Sequence, residues 1–202
     1  MRIAILASGS GSNAQAIMEA ADRGDLGGTV VVCLSDRPGA GVLERAARFG
    51  VPTAVVDDPA DGARLLRLLD DHGAEAVVLA GYLRRITGDV VRRFKNRMLN
   101  IHPALLPAFG GKGMYGMHVH RAVLESGVRW TGATVHLVDE EYDTGPIVLQ
   151  SPVPVMQDDS PETLASRVLE LEHHLYPLAV RLLAQQRLTV VGRRVVIDEA
   201  PC

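Results

Sequence analysis

Short apolar runs alternate with longer amphipathic stretches through the first hundred residues of the chain. The first run, residues 3–6, is continuously apolar, which is typical of a β-strand buried on both faces of a sheet. The same pattern predicts strands at 29–34, 53–56, 76–80 and 98–101, and helices from about residue 13 and at 41–49, 63–71 and 88–93. Strands that alternate with helices at this spacing predict right-handed βαβ units and a parallel sheet.

The pattern changes in the second half of the chain. The predicted elements there are a glycine-rich loop at 112–117, a helix at 118–126, strands at 133–138 and 147–155, a long helix ending near 186, and a hairpin at 188–191 and 195–197. Ser160 and Pro161 mark the start of the long helix, as cap and first-turn residue. We therefore predict an α/β fold: a single Rossmann-like domain over residues 1–202, with a mostly parallel twisted sheet, helices on both faces and antiparallel C-terminal strands.

Composition narrows the class of protein. Of 202 residues, 47% are hydrophobic but only 4% are aromatic, which favours an aliphatic core in a layered α/β architecture. The net charge of −3 argues against a nucleic-acid binder with a basic surface. Cys33 lies in an apolar run and Cys202 ends the chain, so we expect no disulfide framework. The chain has no signal-like segment and no apolar run near the roughly 18–20 residues that span a bilayer, so we expect a cytoplasmic protein without a membrane partner.

Two polar side chains with catalytic capacity lie at the end of the predicted fifth strand. In an extended chain alternate residues face the same side, so Asn100 and His102 are expected to point into one site. The Asn amide can donate to an oxyanion, and the ordinary pKa of His lies near neutrality. A polar strand end before a Pro-rich turn explains the two residues equally well when they are considered alone.

A glycine loop follows the first predicted strand and opens the first predicted helix. Its sequence, Gly9-Ser10-Gly11-Ser12-Asn13-Ala14, places backbone N–H groups at a helix N-terminus, where they can bind phosphate. The loop also satisfies the dinucleotide fingerprint, which expects an acidic residue near the end of the second strand, and Asp36 lies there. The third possibility is a glycine-rich turn that only lets strand and helix pack. The polar side chains favour a single phosphate.

Three stretches of the chain carry a family resemblance: residues 7–13, 100–107 and 135–147. Together they resemble the phosphoribosylglycinamide formyltransferase family, which is folate-dependent and acts in purine synthesis. The resemblance implies transfer of a formyl group from 10-formyltetrahydrofolate to the amino group of glycinamide ribonucleotide, by direct amine attack and without a metal. It also implies a phosphate-binding half, residues 1–100, and a folate-binding and catalytic half, residues 101–202, in a monomer or homodimer.

The resemblance assigns catalytic roles to three residues. Asn100 would stabilise the oxyanion of the tetrahedral intermediate, a role worth about 3 kcal/mol where single donors have been removed from other enzymes. His102 would add charge stabilisation and help to move the proton. Asp143 would pair with His102, raise its pKa and assist proton transfer through water. His136 would face the site as a supporting group.

The resemblance also assigns binding roles. Gly11, Ser12 and Asn13 would hold the phosphate of the ribonucleotide, and Glu172 would contact its ribose hydroxyls, unless it is a solvated helix carboxylate. The folate-binding residues would be Leu83, Arg84, Arg85, Ile86, Asn100, Asp139, Glu140, Glu141, Tyr142 and Asp143. Residues 57–64 are short for the family and provide no secure folate-contacting arginine. Residues 110–116 are extended, and Lys112 fits a phosphate contact or a solvent-facing position equally.

Several alternatives stand beside this interpretation. Formyltetrahydrofolate hydrolase and methionyl-tRNA formyltransferase share the central motif, although they usually carry a further domain. A dinucleotide-binding module without acyl chemistry would explain the glycine loop and Asp36 but not the three catalytic candidates. Two histidine pairs, 118 with 120 and 173 with 174, are interpreted as surface or hydrogen-bonded structural residues and not as metal ligands. The basic run at 92–97 is interpreted as a solvated helix end, with electrostatic attraction of an anionic folate tail as its alternative.

Overall fold

A computed structural model describes residues 1–198 of the chain. The strands are β1 (Arg2–Leu6), β2 (Thr29–Ser35), β3 (Thr53–Val55), β4 (Ala76–Leu79), β5 (Met98–His102), β6 (Trp130–Leu137), β7 (Ile147–Pro154), β8 (Leu188–Val191) and β9 (Arg194–Ile197). The helices are α1 (Ser12–Asp22), α2 (Gly41–Arg48), α3 (Gly62–Asp71), α4 (Gly88–Arg93), α5 (Met117–Ser126) and α6 (Pro161–Ala184). The predicted elements are confirmed in type and order. Cys202 lies outside the described residues.

One seven-stranded sheet has the order β3-β2-β1-β4-β5-β6-β7, and β8 and β9 form a separate hairpin. Strands β1 to β5 pair in parallel, whereas β6 and β7 are antiparallel additions. The strand order reverses between β1 and β4, and ligands of open α/β sheets bind outside the carboxyl ends of the strands at such a point. The predicted fold class is confirmed.

Apolar side chains fill a layer on each face of the sheet. The parallel strands are buried on both sides, which explains their continuous apolar sequences: β4 is buried at all four positions. Ile3, Val78 and Tyr176 belong to the layer that α1 and α6 cover, while Leu6, Leu69 and Phe94 belong to the opposite layer. This aliphatic core fixes the edge of the sheet from which the polar residues project.

Helix α6 is anchored at both its start and its middle. The Ser160 side chain accepts from the Thr163 N–H, and Thr163 accepts from the Ser160 N–H, so the predicted cap is a reciprocal capping box. The Tyr176 hydroxyl, fully buried, lies 2.9 Å from the Leu79 carbonyl and 3.1 Å from the Leu99 carbonyl. The helix is thereby fixed against the end of β4 and the start of β5.

Strand β6 begins earlier than the sequence pattern predicts. Thr131 and Gly132 already pair with Val153 and Pro152 of β7. A glycine interrupts the apolar pattern, but a Cβ at residue 132 would overlap the Ser151 carbonyl. The close approach of the two strands therefore requires glycine here. Beyond β5, a cis peptide joins Leu106 to Pro107 in the turn after the Asn/His pair.

Candidate active site

A cavity of about 580 Å³ lies at the carboxyl ends of β1, β4 and β5, within the size range of small-molecule sites. One side is formed by residues that follow β4 and by the loop between β6 and β7. The other side is formed by α5, α6 and the start of α1. The predicted site residues that line it are Asn13, Leu83, Arg84, Arg85, Ile86, Asn100, His102, His136, Asp139, Glu140, Glu141, Tyr142, Asp143 and Glu172.

Asn100 is oriented by His136. The two residues are direct partners across the antiparallel pair of β5 and β6. The Nδ1–H of His136 donates to the Leu137 carbonyl at 2.9 Å, so its Nε2 accepts from the Asn100 amide at 3.1 Å. One amide hydrogen of Asn100 is thus committed to the imidazole, and the second can donate to a bound group.

His102 and Asp143 come together from β5 and from the loop after β6. The Nε2–H of His102 donates to the Phe109 carbonyl at 2.8 Å, and Nδ1 lies 3.6 Å from a carboxylate oxygen of Asp143. The predicted pairing of the two residues is therefore present. Burial lowers the pKa of His102 below its ordinary value. Asp143 raises this pKa, as predicted, and so does the Phe109 carbonyl, but burial outweighs both.

Asp143 remains ionised despite its burial. Burial alone would raise the pKa of its carboxyl, but the carboxylate accepts a hydrogen bond from the Gly111 N–H, and its pKa lies below the usual value. The Gly111 N–H donates at 2.8 Å, and His136 Nε2 lies 3.6 Å away. The backbone of Asp143 has a φ of 58°. This left-handed conformation is tolerated by Asp, and here it directs the carboxylate into the cavity.

The glycine loop reaches the cavity through Ser10 and Asn13, while Gly11 and Ser12 do not line it. Gly11 precedes α1 with a φ of 80°, and a Cβ there would lie 2.5 Å from Val42 side-chain atoms. No side chain caps this helix start, so its first N–H groups can receive an anion. The Asn13 amide donates to Glu172 at 2.7 Å, and burial raises the pKa of Glu172 to about 7 despite this bond.

The segment after β4 is held by Ser8 and Asp36. The Leu83 N–H donates to the Ser8 hydroxyl at 2.8 Å, and the Arg84 guanidinium donates to Asp36 at 2.7 Å. The Asp36 side chain is completely buried. Burial would raise the pKa of Asp36, but the contacts of Ser8 and Arg84 hold it below its usual value. The carboxylate that the dinucleotide hypothesis requires for a ribose is therefore already bound to Arg84.

The acidic loop is held over the cavity by two arginines. Arg85 donates to the Glu140 carbonyl at 3.0 Å, and Arg92 donates to its carboxylate at 2.9 Å. At the end of the loop, a Cβ on Gly145 would overlap the Leu137 carbonyl. Within the basic run, Arg93 pairs with Asp70 and Arg97 binds backbone carbonyls, so most of these charges have partners. Arg92, Arg93 and Lys95 are exposed, as the solvated-helix interpretation predicts, and Arg97 is half-buried.

Several cavity residues were not predicted from the sequence. They include Tyr82, His120 and glycines of the 110–116 loop. Against the expectation for the histidine pairs, His120 is buried, and its Nδ1 has no hydrogen-bond partner.

Through residue 198, no cluster of three or more His, Cys, Asp or Glu side chains is arranged to hold a metal ion. Over the same span, no helix is long and apolar enough to cross a membrane.

Comparison with known proteins gives consistent matches. The family described as "Formyl transferase" matches residues 1–180. The phosphoribosylglycinamide formyltransferase of Escherichia coli K12 is 39% identical over 93% of this chain and 89% of its own. The chloroplastic phosphoribosylglycinamide formyltransferase of Arabidopsis thaliana is 46% identical over 93% of this chain and 66% of its own.

Solved structures agree with these sequence matches. Glycinamide ribonucleotide transformylase 1 from Symbiobacterium toebii superposes with a TM-score of 0.92 at 45% identity, covering 98% of this chain and 94% of that one. A formyltetrahydrofolate deformylase from Pseudomonas syringae has a TM-score of 0.88 at 26% identity, covering 98% and 66%. The chain spans 66%, 62% and 18% of the first three curated relatives.

Proposed function

The chain belongs to the phosphoribosylglycinamide formyltransferase family, and from this premise we propose that it transfers the formyl group of 10-formyltetrahydrofolate to the amino group of glycinamide ribonucleotide. The product is formylglycinamide ribonucleotide, an intermediate of de novo purine synthesis. The observation that carries the proposal is the convergence of Asn100, His102 and Asp143 in the cavity that also contains Asn13 and Glu172.

The folate donor occupies the side of the cavity between residues 82–86 and the acidic loop. This side combines apolar residues, Leu83, Ile86 and Val138, with exposed backbone and acidic groups. A pterin presents a flat apolar face with polar edges, which suits such a slot. The likeness to a protein named as a formyltetrahydrofolate deformylase supports a formyl-folate donor.

The acceptor ribonucleotide occupies the opposite side. Its phosphate binds at the start of α1, where the N–H groups are uncapped and polar loop residues lie close. Its ribose hydroxyls donate to Glu172, whose carboxyl is positioned by Asn13. The amine then lies at the centre of the cavity, beside Asn100 and His102.

The amine nitrogen attacks the formyl carbon and forms a C–N bond, which generates a tetrahedral oxyanion. Asn100 stabilises this oxyanion with the amide hydrogen that His136 leaves free. The bond between the carbon and N10 of the folate then breaks. No covalent bond between substrate and protein is needed.

The amine must lose a proton, and N10 must gain one. With its Nε2–H bound to Phe109, His102 presents Nδ1 as the proton acceptor, facing the ionised Asp143. A lowered pKa leaves His102 neutral before the reaction, so it can accept the proton as the amine becomes positive. Asp143 stabilises the resulting imidazolium, and the proton passes to N10 directly or through water.

A direct assay tests the proposal with 10-formyl-5,8-dideazafolate as donor and glycinamide ribonucleotide, initiator methionyl-tRNA and water as competing acceptors. We expect formylated glycinamide ribonucleotide as the dominant product, dependent on Asn100. Formate release without an acceptor would instead support a formyltetrahydrofolate hydrolase. Formylation of the tRNA would support a methionyl-tRNA formyltransferase. Stabilisation by NADH or NADPH but not by the folate would support the dinucleotide-binding alternative.

A further inference from the structure

His120 is a buried side chain that the proposed chemistry does not use. It lies on α5, its side chain is directed toward the cavity, and the residue is only 5% exposed. Its Nδ1 is buried and forms no hydrogen bond within the described part of the chain. Buried polar atoms in folded proteins nearly always have partners, so an unpartnered one in a cavity wall calls for an explanation.

The other two histidines that are buried among the described residues each have a backbone hydrogen-bond partner. His102 donates to the Phe109 carbonyl and His136 to the Leu137 carbonyl. Each of these rings therefore has a backbone partner that fixes its orientation. His120 has none, although it is buried to a similar degree.

The surroundings of His120 keep the ring uncharged. Burial lowers its pKa, and the nearby His102 lowers it further. A neutral imidazole carries one N–H donor and one acceptor nitrogen, so it can bind a group that offers the complementary pair. Helix α5 packs against α6, and His120 and Glu172 both line the cavity.

One polar group of the acceptor ribonucleotide has no side-chain partner in this arrangement. Under the proposed function, the phosphate is bound by the glycine loop, the ribose hydroxyls by Glu172, and the amine by the central residues. The amide that joins the ribose to the glycyl unit lies between the hydroxyls and the amine. A secondary amide offers a carbonyl acceptor and an N–H donor, which a neutral imidazole complements.

We propose that His120 binds the amide group of the acceptor ribonucleotide and so selects an acceptor of the ribosyl-amide class. The inference rests on the proposed function. It makes His120 a specificity-determining residue on the acceptor side, with no part in folate binding.

Substitution of His120 by Phe tests the proposal, because Phe keeps the ring shape and removes both nitrogens. We expect the KM for glycinamide ribonucleotide to rise about tenfold, with the KM for 10-formyl-5,8-dideazafolate unchanged. The melting temperature should stay level or rise, because no hydrogen bond of the free protein is lost. A residue with a purely structural role would lower the melting temperature and change both KM values.

Two further variants complete the experiment. His120→Asn keeps a donor and an acceptor and should return the acceptor KM to within about threefold of wild type, while His118→Ala, at an exposed position on the same helix, should change nothing. His120→Met also removes both nitrogens. Its flexible side chain makes it the alternative variant if the Phe ring does not fit the site. An unchanged acceptor KM in the Phe or Met variant overturns the role of His120 alone. Absence of transfer to glycinamide ribonucleotide by the wild type overturns the proposed function, and the role of His120 with it.

Discussion

The side-chain amide of Asn13 donates a 2.7 Å hydrogen bond to the carboxyl of Glu172, joining the first turn of α1 to the middle of α6. Glu172 is 7% exposed, and its burial raises the pKa to about 7. The bond therefore links the candidate phosphate loop to a carboxyl that titrates near physiological pH.

Glu172→Gln should make protein stability less dependent on pH. The pKa of about 7 in the folded protein lies above the ordinary 4.5, so the stability this carboxyl contributes is complete below pH 4.5 and is lost as the pH rises through 7. At about 1.4 kcal/mol per pKa unit, the wild type should lose roughly 2–3 kcal/mol from this group between pH 5 and pH 8. Urea unfolding at both pH values measures the loss. The control Glu170→Gln, at an exposed position on the same helix, should lose as much stability between the two pH values as the wild type. The same loss in Glu172→Gln would contradict the assignment of this pH dependence to Glu172.

Asn100→Ala should reduce turnover with little change in acceptor affinity. The amide acts mainly on the oxyanion of the transition state, and loss of one such donor lowers kcat by about 100-fold or more. Steady-state kinetics with both substrates, and a thermal melt to verify folding, measure the effect. Near-normal turnover would remove Asn100 from this role.

Asp143→Asn should move the acid limb of kcat/KM to lower pH. Burial lowers the pKa of His102 below 6.5, and the charge of Asp143 partly opposes this. Without that charge the pKa of His102 should fall further, so His102 stays neutral to lower pH while maximal activity decreases. NMR titration of the imidazole, alongside the pH dependence of the rate, tests the coupling. An unmoved titration would mean that the 3.6 Å contact has no electrostatic effect.

Asp36→Asn should weaken the attachment of the folate segment. It removes a fully buried carboxylate from the Arg84 guanidinium, so we expect a loss of about 1–3 kcal/mol in unfolding free energy and a higher KM for the folate. The matched control is Asp70→Asn, which breaks the exposed pair with Arg93 and should cost less than about 1 kcal/mol. Equal losses in the two variants would show that burial of the Asp36 carboxylate has no special effect.

Much of the fold could be predicted because its signals are local. The apolar run before Ser8, the glycine at position 11 and the Ser160-Pro161 helix start each act within a few residues. The start of β6 was missed because its close contact with β7 depends on Gly132, whose partner lies on the next strand. Alternation along β5 likewise predicted that Asn100 and His102 would face one cavity, which the structure contains.

The sequence by itself determined the elements, their order and the polar residues available at the strand ends. Only the tertiary structure decided which side chains meet: His136 with Asn100, Arg84 with Asp36, and Asn13 with Glu172. It also decided the direction of the His102 pKa, since burial of the ring outweighs the raising effects of Asp143 and the Phe109 carbonyl. Hydrophobic periodicity acts over a few residues, whereas desolvation and charge pairing depend on segments brought together from across the chain. That is why the residue types were readable in the sequence but their protonation states and partners were not.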